Sequence, residues 1–170
     1  AKIDSAGNLA WVADFGSNGK DDEGNDIIVD DSGYVYVCGK SNSLTAIQQD
    51  VVLIKYSNNG TEQYFRMFDA DSAADEAHKM CFDNYGNIVM TGTGTRENAD
   101  ILTLAYNRAG DFLWKIFFNG DYDGEDKGTG IISDGYGNIF VTGEVQKTDT
   151  TWQQVTIKYK PDYFLVPQDT

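Results

Sequence analysis

The sequence is short of proline, cysteine, histidine and positive charge, and each shortage excludes something. Two prolines stand against 18 glycines, so chain reversals fall to Gly, Asn and Asp. The lone histidine, His78, would have to serve any Ser-His-Asp or Cys-His arrangement. No G-x-S-x-G nucleophile elbow accompanies it, and the expected role is a polar residue at the start of a strand. The two cysteines, Cys38 and Cys81, lie in separate strand-like runs, which indicates neither a zinc site nor a C-x-x-C redox motif. Buried free thiols are expected, with a disulfide open if the strands are neighbours.

Thirteen Lys and Arg against 27 Asp and Glu give a net charge of −14. Nucleic acid and anionic lipid surfaces are bound through cations on the protein, so both are set aside as partners. No apolar run approaches the roughly 18 to 20 residues of a membrane helix, and no basic-then-apolar leader opens the chain. No membrane insertion is therefore expected. The sequence begins at Ala1 without Met, which leads us to expect that a leader or further upstream sequence has been removed.

What is present is repetition. "DDSGYVYVCG" (30–39), "DNYGNIVMTG" (83–92) and "DGYGNIFVTG" (134–143) are near copies, and Gly33, Gly86 and Gly137 follow one another at spacings of 53 and 51. Eleven positions before each of these glycines stands an Asp (Asp22, Asp75, Asp126), and six after stands another Gly (Gly39, Gly92, Gly143). A second register places Gly7, Gly60 and Gly110 four residues before Trp11, Tyr64 and Trp114, and eight before Phe15, Phe68 and Phe118. Each unit reads as four short strands rich in Ile, Val, Phe and Tyr between Gly, Asn and Asp; in the middle unit these are 77–82, 87–93, 100–106 and 111–118.

An all-β chain of four-stranded antiparallel units about 50 residues long reads as a β-propeller, here with three blades' worth of strands. A first outer (d) strand spans 8–15, the units run 22–68, 75–118 and 126–159, and 161–170 is a tail or the start of a following segment. In D-x-x-G the Asp side chain can accept hydrogen bonds within the turn while Gly takes φ > 0. Asp30, Gly33, Asp83, Gly86, Asp134 and Gly137 are thus expected to turn the chain rather than catalyse or bind metal.

The D…D-x-x-G-N-x-[YFV]-V-T-G core at 75–92 and 126–143, with the K-Y-x-x-x-G-x-x-x-[WY] link at 55–64, resembles the bacterial β-propeller repeats called SBBP repeats. The resemblance covers about 2–159. It implies an exported or cell-surface bacterial protein with the propeller as one module, and it implies no chemistry. Cys38 replaces the Thr of the core, Ala105 the Lys of the link, and "KPDYFLVPQDT" abandons the link after Tyr159.

Three blades are fewer than the four to eight that close a ring. The third blade is complete only if the first d strand lies beside the last c strand or a partner supplies that edge, and the ring needs the remaining blades of a longer protein or a second copy in a C2 dimer; a segment of a six- to eight-bladed protein is preferred. Eleven acids gather in the three d–a loops: Asp21, Asp22 and Glu23; Asp69, Asp71, Asp75 and Glu76; Asp121, Asp123, Glu125 and Asp126. With the variable b–c loops at 40–49, 93–99 and 144–151 they should form one negative face.

Candidate binding residues on that face are Asp71, Asp75, Arg96, Glu97, Asp121, Asp123 and Asp126. Asp22, Asp75 and Asp126 recur at a fixed place and are expected to accept hydrogen bonds where strand a begins. Asp121, Asp123 and Glu125 in "NGDYDGED" offer alternate carboxylates to a Ca²⁺ ion, although not in EF-hand order; no other cofactor is indicated. The recurring aromatics are expected to pack between blades. The reading is a non-catalytic extracellular scaffold for a protein or glycan partner. The alternatives are a polysaccharide hydrolase or lyase, and a structural spacer or filament subunit.

Overall fold

A computed structural model describes residues 1–16, 21–42, 48–70 and 73–160. The described residues form antiparallel strands and no helix. A hairpin of β1 (Lys2–Ile3) and β2 (Leu9–Trp11) comes first. Blade I is the meander β3 (Asp22–Val29), β4 (Val35–Ser41), β5 (Asp50–Tyr56) and β6 (Glu62–Phe68). Blade II is β7 (Glu76–Phe82), β8 (Ile88–Thr95), β9 (Ala99–Tyr106) and β10 (Phe112–Phe118). Blade III has β11 (Asp126–Ser133), β12 (Ile139–Thr148) and β13 (Thr151–Tyr159), a sheet of three strands with β13 at its edge.

Two features depart from the sequence reading. The first d strand is β2 alone, and Phe15 lies beyond it, although its ring still meets Phe65 edge-on at 5.2 Å. That strand pairs with β1 and not with β13, so the first d strand does not close the last c strand. The cause is local. Asp4 accepts the backbone N–H groups of Ala6 and Asn8, and Gly7 at φ 85° completes a hairpin turn that gives β2 its own partner.

The repeated decapeptide is a turn, a strand and a point of close approach. Asp83 Oδ1 accepts the N–H groups of Tyr85 and Asn87 at 2.8 Å each, while Oδ2 accepts the Asn87 amide, and Asp134 does the same with Tyr136 and Asn138. Gly33, Gly86 and Gly137 sit at φ 80°, 77° and 81°, where a Cβ is strained. In the first copy Tyr34 replaces the Asn, and the second oxygen of Asp30 turns to the Tyr36 hydroxyl and to Arg108 of blade II.

The terminal Gly of the motif has another cause. In every blade strand a bulges opposite it: the register jumps between Gly24 and Asp26, Ala77 and Lys79, and Gly128 and Gly130. A Cβ at Gly92 would stand 1.9 Å from the Glu76 carbonyl oxygen, and one at Gly39 would stand 1.8 Å from that of Glu23. The skipped residues are Asn25, His78 and Thr129, and a bulge is a device for re-aiming a side chain.

Because side chains alternate along a strand, each blade presents two apolar faces. Tyr36, Cys38, Val51 and Leu53 of blade I pack with Met80, Ile88, Met90, Leu102 and Leu104 of blade II. The opposite face of blade II (Val89, Ile101, Ala105) packs with Ile131, Ile139, Val141 and Val145 of blade III. The hydrophobic cores therefore lie between blades, as in a propeller. The third core sets Trp11, Ala13 and Phe15 on Val35, Val52, Ile54 and Tyr56 of blade I.

Candidate site at the loop end of the blades

His78 shows what the bulges aim at. Its Nδ1 lies 2.7 Å from the carbonyl oxygen of Gly128 in blade III, so that nitrogen carries the proton and donates. Asn25, in the same position of blade I, donates to the carbonyl of Ala77 at 3.0 Å, the residue of blade II that corresponds to Gly128. One bulged side chain thus clasps each blade to the next. The sole histidine is committed to this clasp, with Nε2 3.6 Å from Glu76.

The aromatics make a second fastening. Trp11 Nε1 donates to the Asn58 carbonyl in the c–d turn of blade I at 3.0 Å, and Tyr64 reaches the equivalent Arg108 carbonyl of blade II at 3.4 Å. A Cβ on Gly60 would strike the Trp11 ring at 2.7 Å. These rings pack between blades. Residues 161–170, which follow Tyr159 and Lys160, lie outside the described residues.

The d–a and b–c loops meet at one end of the sheets. Thr95 at the end of strand b in blade II and Gln146 near its end in blade III donate backbone N–H to Asp75 and Asp126, which also accept the N–H groups of Ala70 and Gly120. Both carboxylates are 1% exposed. Of the sequence-proposed binding residues, Asp75 and Asp126 therefore face inward and hold the loops. Asp22, their counterpart, accepts the Ser41 hydroxyl.

Arg96, Glu97, Asp121 and Asp123 are exposed, and Asp71 lies outside the described residues. Arg96 pairs with Asp100 and lies 4.3 Å over the Phe117 ring. Asp121 pairs with Lys147 of the neighbouring b–c loop, while Asp123 accepts the Asn119 amide within its own loop. Tyr122 donates to Asp149 of that b–c loop.

Asp121, Asp123 and Glu125 of the proposed Ca²⁺ set are exposed, with Asp121 paired to Lys147 and Asp123 to the Asn119 amide. Among the described residues the grouping with metal-compatible spacing is Asp50, Asp69 and Asp75. Asp50 begins strand c of blade I and was not singled out from sequence. The signal was its alignment with Asp100 two residues inside the same b–c junction. Burial, with Asp69 and Asp75 nearby, pushes the Asp50 carboxyl up to about 6.

Four-stranded meanders with their cores between them are the architecture of propeller blades, and the turn, bulge and close-approach glycines recur in each. One stretch of the chain is similar to the SBBP beta-propeller repeat. That family's model matches residues 10–44, from β2 through the end of β4. No curated protein matches the chain. Within the matched SBBP repeat lie Asp22, Asn25, Asp30, Gly33 and Gly39, residues that turn the chain or fasten blades. The match thus marks architecture, while the exposed loop residues vary from copy to copy.

Proposed function

We propose that this propeller-type module is a non-catalytic binding scaffold of an exported bacterial protein, offering the loop end of its blades to a protein or glycan partner. The observation that supports it best is the division of labour between residues. Polar groups at recurring positions, His78, Asn25, Asp75 and Asp126 among them, are spent on backbone groups between blades and loops. The residues left at the surface of that end, Arg96, Glu97, Asp121 and Asp123, belong to loops that differ between copies. Variable loops on a rigid frame are where recognition is placed. Further blades of the same protein, or a second copy, would complete the ring.

The test is a binding screen of the purified chain against immobilised glycans and extracellular proteins, repeated with R96K/E97Q, which keeps a cation beside Asp100, and with D121N/D123N. Ligand binding that either pair weakens at least tenfold, with unfolding temperature unchanged, supports the reading. Depolymerisation of a polysaccharide by the wild type, lost in the same variants, overturns it in favour of an enzyme. Long filaments by electron microscopy, unaffected by both pairs, would overturn it in favour of a structural subunit.

A further inference from the structure

We propose that Asp50, Asp69 and Asp75 bind one divalent cation of the Ca²⁺ class, which ties strand c of blade I to the loop entering blade II. One carboxylate oxygen from each residue lies within 4.8 Å of the other two. Ca²⁺–oxygen distances of 2.3–2.6 Å place ligands on opposite sides of one ion about 5 Å apart, so this spacing suits a shared ion. The donors are all carboxylate oxygens, the hard ligands that Ca²⁺ and not Zn²⁺ or copper selects.

A cluster of acids alone would mean little, and Asp50 supplies the independent observation. It is only 7% exposed, its oxygen is directed into the cluster, and no described residue donates a hydrogen bond to it or forms an ion pair with it. A buried carboxylate without a partner is costly, and proteins pair such groups or give them a metal. Asp75 is 1% exposed and holds two backbone N–H groups, which fixes its position.

The repeat itself contains the control. One unit later Asp100, Asn119 and Asp126 occupy the corresponding places. There the Arg96 guanidinium sits on Asp100 and one acid of the three has become Asn. The residue four before Asp50, where Arg96 stands before Asp100, is the uncharged Ala46. Blade II thus carries its cation as a side chain, while blade I has one more acid and no such arginine. A bound ion would restore the same balance. Only three carboxylates contribute, so the affinity belongs in the weak range of extracellular Ca²⁺ modules, a Kd of about 10⁻⁴–10⁻³ M.

Calorimetric titration and thermal unfolding of the full 170-residue chain, stripped with chelator and then given Ca²⁺ or Mg²⁺, provide the test. Saturable Ca²⁺ binding and an unfolding temperature raised by a few degrees are expected. Asp69→Asn, at an exposed position, should weaken binding at least tenfold, and D121N/D123N should not. Asp50→Asn should raise the unfolding temperature in chelator by relieving repulsion yet lose the Ca²⁺ shift, whereas an acid cluster without an ion would gain stability equally in both conditions. The proposal is overturned if the wild type shows no saturable heat and no shift at about 10 mM Ca²⁺, if Asp69→Asn binds as the wild type does, or if Mg²⁺ binds more tightly. None of these readouts depends on the partner proposed above.

Discussion

A bulged residue that clasps the next blade is asked only to donate one hydrogen bond in the right direction, which is why Asn25 and His78 hold equivalent places. His78→Asn should therefore unfold within about 0.5 kcal/mol of the wild type, while His78→Ala should cost about 1–2 kcal/mol by leaving the Gly128 carbonyl without its donor. Denaturant unfolding followed by circular dichroism separates the two. If His78 served chemistry instead, Asn and Ala would be equally damaging to activity and equally mild for folding. The cysteines give a second outcome at this scale. Both thiols are free, and burial pushes each up to about 12. Thiolate is the reactive form, so Cys38 and Cys81 should resist a thiol reagent at pH 8 in the folded chain and react once it unfolds.

At the scale of the element, the motif Asp-x-x-Gly-Asn and the strand that follows it were legible because each letter answers a local need. The Asp and Asn satisfy backbone groups of the turn, and the Gly takes a conformation others avoid. The terminal Gly was visible as a repeat but not as a cause, since the bulge it admits depends on the neighbouring strand's register. Gly92→Ala puts a Cβ against the Glu76 carbonyl, which the backbone must move to avoid. A loss of about 3 kcal/mol or more is expected, whereas Gly135→Ala, with nothing within 4 Å, should be nearly neutral. The candidate site was harder to read. Strand periodicity does not say which acids of a loop converge, and the residue completing the acidic cluster, Asp50, comes from a different segment of the chain. Of the alternate acids at 121–125, Asp121 pairs with Lys147 and Asp123 accepts the Asn119 amide.

For the whole molecule, the decisive comparison is between equivalent residues on the inner strands. Met80 and Ile131 are 4% and 8% exposed because blades I and II cover them, while Ile27 in the same position of blade I is 56% exposed. Beside it opens a cavity of about 460 Å³ lined by Trp11, Phe15, Val35, Val37 and Ile54, where the β1–β2 hairpin supplies outer strands but no inner ones. The opposite end is chemically different. Gln154 and Thr156 are exposed on β13 where the preceding blades bury Val51, Leu53, Ile101 and Thr103. The first end is the more apolar, while the second mixes Gln154 and Thr156 with exposed Ile132 and Trp152. A second copy joined end to end through the Ile27 face would hide both apolar surfaces, whereas a head-to-tail stack would bury Gln154 and Thr156 against them. Light scattering of the isolated chain should accordingly show concentration-dependent dimers rather than filaments, and Ile27→Lys should shift them to monomers with an unchanged β-sheet spectrum. Met80→Ala is the internal comparison: it should cost about 2–5 kcal/mol of stability without changing the dimer, because that face is already covered within the chain. A chain that stays monomeric at every concentration would overturn dimerisation through the Ile27 face and leave further blades of the same protein as its natural cover.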